Sequence, residues 1–285
     1  MRAIRNTADD GPQVCYLLRD LVTRSRKLFG NDSIGQGYFT KLDLTRDPIL
    51  PGSRLPLFDE VNPLGPDDVG DPHTGNVLLF VREGDPAPCV SLPATKKTRL
   101  IDTYRFVCVY LSQSSRKLVQ GQPNALDLVV WKSVAYPNYG QVNQITDATE
   151  KKNVVKDLYQ RFNYSLLWDP GAPIGSAFHG IDSAGNVGAT PTVLTNVPED
   201  TASSGRGQLV NRGIAVARTD STSRPRASIM TTDLAATWVP NGFEVKIVGT
   251  SGARKVWMRL SIEKQAKPGV VPAQMTTVIA NTRDL

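Results

Sequence analysis

Residues 99–111 read RLIDTYRFVCVYL. Side chains of an extended chain alternate between two faces, so Tyr104, Phe106, Cys108 and Tyr110 share one face. Thr103, Arg105, Val107, Val109 and Leu111 share the other. The aromatic and β-branched content marks a strand. The first face suits the interior of a sandwich. The second turns apolar beyond Arg105, where a sheet open to water stays polar. The stretch predicts a strand buried on one face by its own core. An arm or a neighbouring subunit is expected to cover the other. Arg105 then marks where that cover stops or where it meets an acidic partner.

Similar strand signals lie on both sides: residues 77–82, 87–92, 126–134, 161–168, 209–217, 227–231, 243–248 and 256–264. The turn-forming runs EGDPAP, PATKK and GQPN separate several of them. Two segments carry a helical period. Residues 13–29 place Val14, Leu17, Leu18, Leu21, Val22 and Leu28 on one stripe, with Gly30 and Asn31 as a C-cap. Residues 146–159 have Asp147 and Glu150 at capping-box spacing. Residues 43–75, rich in Pro, Gly and Asp, read as an extended arm, because proline is excluded from helix interiors and central strands. Residues 169–208 read as a long loop and 265–285 as a tail. Strands and helices do not alternate regularly, which excludes a doubly wound α/β fold. The pattern predicts an all-β chain: an eight-stranded antiparallel jelly-roll sandwich with an N-terminal helix, one short inserted helix and long loops. The expected organisation is a basic helix and Pro-rich arm (1–75), a jelly-roll domain (76–264) and a C-terminal arm (265–285).

With 40% hydrophobic and 21% charged residues in 285, the chain can build a sizeable core. The formal charge of +6 favours anionic partners such as nucleic acid. The opening MRAIRNTADDGPQ lacks a signal-peptide core, and no apolar run approaches membrane-spanning length, so no membrane partner is expected. Three widely spaced cysteines, Cys15, Cys89 and Cys108, do not form a disulfide framework.

Site chemistry is sparse in the sequence. His73 and His179 lie far apart and no CxxC occurs, so no metal site is expected. Ser176 and His179 fall close together in GSAFHG, without the strand–turn–helix pattern of a nucleophile elbow. GTSGARK at 249–255 fails phosphate-loop spacing and joins two strands. No catalytic residue and no cofactor is expected. Basic clusters remain as the one signal. Arg2, Arg5, Arg19, Arg24, Arg26 and Lys27 form a first set, and Arg206, Arg212, Arg218, Arg224 and Arg226 a second. Both suit phosphate neutralisation, since Lys and Arg release the counterions of a nucleic acid.

The strand RLIDTYRFVCVYL, the strand LDLVVWKSV, the helix-then-strand EKKNVVKDLYQRFNYSLLW and the closing RKVWMRLSIEK together give the chain a resemblance over residues 77–264. In this pattern it resembles single jelly-roll coat proteins of small icosahedral viruses, most of all those of circular single-stranded DNA viruses of the geminivirus and genomovirus group. The resemblance implies self-assembly of many copies into a shell around a nucleic-acid genome. It also implies a place in the virion, with assembly in the host nucleus or cytoplasm. One feature departs from that group, which usually opens with a dense Arg/Lys tail. Here only Arg2 and Arg5 precede the acidic Asp9–Asp10 pair. Two other readings fit a β-sandwich. One is a carbohydrate-binding or hydrolytic domain using Trp131, Trp168 or Trp257. The other is a viral movement or nucleic-acid-binding protein.

Overall fold

A computed structural model gives the fold and describes residues 15–42, 77–117, 124–188, 207–216, 243–249, 254–265 and 270–282. The Pro-rich arm expected at 43–75 and the strand expected at 227–231 lie outside these residues.

The run RLIDTYRFVCVYL is divided at Asp102. Residues before it belong to β4 (Lys97–Ile101), which pairs with β3 (Ala87–Leu92) in a separate hairpin. Residues after it open β5 (Thr103–Lys117). The aspartate holds the switch between the two. Its backbone N–H and its Oδ2 both bond the Gln141 amide, at 2.8 and 2.6 Å. Its carbonyl accepts the Asn138 N–H at 2.8 Å. An aspartate is disfavoured within a ladder and suits such a local capping role.

β5 lies in the interior of the main sheet. β2 (Leu78–Glu83) lies on one side, with Phe80 opposite Val107 and Leu79 opposite Cys108. β6 (Asn124–Pro137) lies on the other, with Cys108 opposite Trp131. β1 (Ser25–Phe29) extends the sheet beyond β2, and β9 (Gly207–Val216) extends it beyond β6. β11 (Arg254–Gln265) follows, joined to β9 at Ile262–Val216 and flanked by β10 (Phe243–Val248) and β12 (Val270–Thr282). All these pairs are antiparallel, giving an eight-stranded sheet in the order β1-β2-β5-β6-β9-β11-β10, with β12 on the other side of β11. The chain is thus mostly antiparallel β with few helices. Within this sheet the neighbours follow chain order from β1 to β9, and β11 then lies between β9 and β10.

Alternation sorts each strand between two cores. Leu78, Phe80, Val107, Val109 and Val130 point to one side, where they meet Phe243, Val245 and Ile247 of β10 and Val256 and Met258 of β11. Helix α1 (residues 15–23) joins them through Leu18, Leu21 and Val22. Leu79, Val81, Tyr104, Phe106, Cys108, Tyr110 and Trp131 point to the other side. Helix α2 (Ser33–Lys41) covers them with Tyr38 and Phe39. The short pair β7 (Leu166–Trp168) and β8 (Phe178–Gly180) adds Trp168 and Phe178. The two-sided burial of β5 read from the sequence therefore holds, but the chain itself supplies the cover through α1, β10 and β11. Arg105 stands at its margin and donates to the Ser133 carbonyl at 3.2 Å.

Other expectations are corrected. The helix read at 13–29 ends at Thr23, and 25–29 is strand, with Leu28 in one core and Phe29 in the other. Leu28 falls seven residues after Leu21, on the helical stripe, but pairing with β2 makes it strand. Gly30 and Asn31 follow a strand, so they cap no helix. The strand read at 161–168 shrinks to β7, because Asn163 is held at φ +57° after a helix end. The single inserted helix becomes α3 (Tyr139–Asn143) and α4 (Ala148–Gln160). Residues 270–282, read within a tail, pair along β11.

Candidate nucleic-acid interface

Of the first basic set, Arg2 and Arg5 lie outside the described residues, and the other four are placed. Arg19 is exposed on α1 and makes no ion pair among the described residues. Arg24 sits one turn after Asp20 and pairs with it at 2.9 Å. Arg26 pairs with Glu83 of β2 at 2.6 Å. The Lys27 ammonium donates to the Pro170 carbonyl at 2.7 Å. Arg24, Arg26 and Lys27 thus gather where α1 passes into β1, and Arg24 and Arg26 each face a carboxylate there. Half-exposed pairs of this kind contribute about 0–1 kcal/mol each, so a phosphate can displace them. Arg82, cross-strand from Ser25 and Arg105, lies behind them. Burial lowers its pKa, and its Nε finds no hydrogen-bond partner among the described residues. Of the second set, Arg212 lies in β9 where the register to β6 shifts. Arg206, Arg218, Arg224 and Arg226 lie outside the described residues.

A third basic run, Lys96, Lys97 and Arg99, was read only as part of a turn and the strand after it. Two of its members, Lys97 and Arg99, meet the buried Glu150 of α4. Asp147 caps α4 by accepting from the Glu150 N–H at 2.7 Å. Glu150 does not complete the capping box; it turns into the β3–β4 hairpin, buried, and takes a hydrogen bond from Arg99 with Lys97 at 3.6 Å. The Arg99 bond above all holds its carboxyl down at about 2, from an ordinary 4.5. Ser91 and the two positive charges add to this, and burial opposes it. A depressed carboxylate stabilises the fold fully above the unfolded pKa, and the contribution fades as pH falls from about 4.5 toward 2. Wild-type chemical denaturation should therefore lose stability across that window more steeply than Glu150→Gln, whose curve should be flatter and lower at neutral pH.

The same helix closes one edge of the hairpin. Asp157 accepts the Val90 N–H at 2.8 Å, and Asn153 donates to the Ser91 carbonyl at 3.0 Å. Arg161 donates to the Pro88 carbonyl and pairs with Asp157. Side chains thus occupy the backbone groups that a further strand would otherwise take.

His73 lies outside the described residues; several of the other candidates take structural roles. The His179 ring stacks on Tyr139 at 3.7 Å between centroids, and burial lowers its pKa. Ser176 donates to the Pro173 carbonyl at 3.3 Å. Burial pushes the Cys89 thiol up to about 12 and the Cys108 thiol higher, which keeps both protonated. Among the described residues, no three His, Cys, Asp or Glu side chains form a metal-binding group, and no helix is long and apolar enough to cross a membrane. Trp131 and Trp168 are 1% and 0% exposed, so neither can stack on a sugar. Comparison with protein-family models, curated proteins and solved structures found no match.

Proposed function

We propose that the chain is a coat-protein subunit whose copies assemble into an icosahedral shell around a nucleic-acid genome, single-stranded DNA by the sequence resemblance. The observation that carries the reading is the double cover of β5. An eight-stranded antiparallel sheet with an apolar cluster on each face is a stiff building block of the kind a shell requires. The net charge of +6 supports a polyanionic content. The jelly-roll sandwich belongs to the same proposal. Its support is the packing of β10 and β11 across from β2, β5 and β6.

Genome contact in this reading falls to Arg19, Arg24, Arg26 and Lys27, together with the outlying arginines. Changing these four to Glu should lower the nucleic acid recovered with purified protein, read as the ratio of absorbance at 260 and 280 nm. Wild-type binding to a single-stranded oligonucleotide should weaken steeply with salt, each phosphate contact contributing a slope of about −0.7 in log–log form. Undiminished nucleic acid in the quadruple variant would remove the β1 margin as the contact.

A further inference from the structure

The β3–β4 hairpin is closed on one edge and open on the other. α4 side chains seal β3, whereas no strand among the described residues lies beyond β4. β4 has five residues, and four of them, Lys97 to Leu100, are exposed. Leu100 is 68% exposed and offers this edge an apolar contact. The edge is also basic. Lys96, Lys97 and Arg99 lie along it, with Glu150 as the carboxylate bonded to the run.

Those charges select the occupant. A second β4 paired about a two-fold axis centred on Arg99 sets Arg99 against Arg99, and like charges directly opposite are destabilising. An acidic extended strand carrying apolar residues fits instead. The chain holds one. Residues 43–76 contain Asp43, Asp47, Asp59, Glu60, Asp67, Asp68 and Asp71 against Arg46 and Arg54, and their longest proline-free run is LFDEVN at 57–62. In an extended LFDEV, Phe58 and Glu60 share one face, and Leu57, Asp59 and Val61 the other. Each face thus carries one carboxylate beside apolar groups. β4 offers Lys97 and Arg99 on one face, where one of the two carboxylates would meet them, and Thr98 and Leu100 on the other. The segment leaves at Leu42 and returns at Val77, both buried in the same core. Its apex can reach roughly 55 Å out and back, at about 3.3 Å per residue.

We propose that the outer edge of β4 is a docking strand for residues 57–61 of a second copy of this chain, added by backbone pairing. The proposal rests on the coat-subunit reading for its supply of copies. The test uses the full chain, a labelled synthetic peptide of residues 55–63, and Leu100→Glu, which alters an exposed side chain and should leave the melting temperature unchanged. Wild type should bind the peptide. Leu100→Glu, or a peptide with Lys at the positions of Asp59 and Glu60, should weaken binding about tenfold or more. Sedimentation velocity should show the same loss of self-association in Leu100→Glu and in full-length Asp59→Lys/Glu60→Lys. Equal peptide binding by wild type and Leu100→Glu overturns the site. Weakened peptide binding with undiminished self-association means the segment docks on its own chain, and overturns the second copy as occupant. If oligothymidylate binding falls in Leu100→Glu and peptide binding does not, the edge is a nucleic-acid contact and the peptide reading fails. Shells that form equally with wild type and Leu100→Glu defeat this inference and leave the coat reading standing. Peptide binding at the edge without any shells does the reverse.

Discussion

Phe106→Ala should destabilise the fold by about 3–5 kcal/mol, the range for emptying a large aromatic site in a packed core. Phe106 is 0% exposed. Its ring lies 5.2 Å from Trp168, 5.6 Å from Tyr136 and 5.9 Å from Phe178, and Phe29 and Tyr38 complete the surround. These partners come from β1, α2, β6, β7 and β8, so collapse around the void would have to move five elements at once. The Tyr38 hydroxyl further ties the site by accepting the Trp168 Nε1–H at 3.1 Å. Urea unfolding followed by tryptophan fluorescence reads the loss. Tyr16→Ala, 68% exposed on α1, is the control and should stay within about 0.5 kcal/mol.

Gly185→Ala should cost about 2–5 kcal/mol, from two terms. Gly185 has φ +84°, a left-handed conformation that costs an L-residue about 1–2 kcal/mol. The added Cβ would also lie 2.5 Å from the Lys152 carbonyl oxygen and 2.8 Å from Lys152 Cγ. The first of these atoms is helix backbone, so α4 itself must shift, at an overpacking cost of about 1–3 kcal/mol. That helix seals the β3 edge and buries Glu150, so the hairpin should loosen with it, measurable as faster amide exchange across residues 87–101. Gly175→Ala, whose Cβ would meet nothing within 4 Å, should be close to neutral.

Much of the strand content was legible. β3 and β10 fall on the expected residues, and β2, β6, β9 and β11 differ by a few at their ends. Runs of β-branched residues bounded by Gly and Pro carry that information locally. The split of RLIDTYRFVCVYL at Asp102 was not legible, because the aspartate's partner is Gln141, thirty-nine positions away. α2 escaped notice because Gly35 and Gly37 weaken its propensity. The one local signal was Asp32, whose side chain accepts from the Gly35 N–H at 2.7 Å. β12 was hidden by Pro272, which reads against a central strand and is tolerated at an edge.

The candidate site was less legible than the fold. Clusters of Arg and Lys are visible in sequence, but their partners are not. Asp20 lies within one helical turn of Arg24, whereas Glu83 reaches Arg26 only through the β1–β2 pairing. The run ATKKTR was read as a turn passing into a strand. Its bond to Glu150 needed the hairpin and α4 to meet, and its open edge needed the opposite edge to be sealed.

Electron microscopy of the purified full-length protein, with absorbance at 260 and 280 nm on the same sample, tests the central claim most directly. The coat-subunit account predicts closed particles of one size whose absorbance ratio reports enclosed nucleic acid. A monodisperse monomer at every salt concentration and pH tried, with no particles, would contradict it.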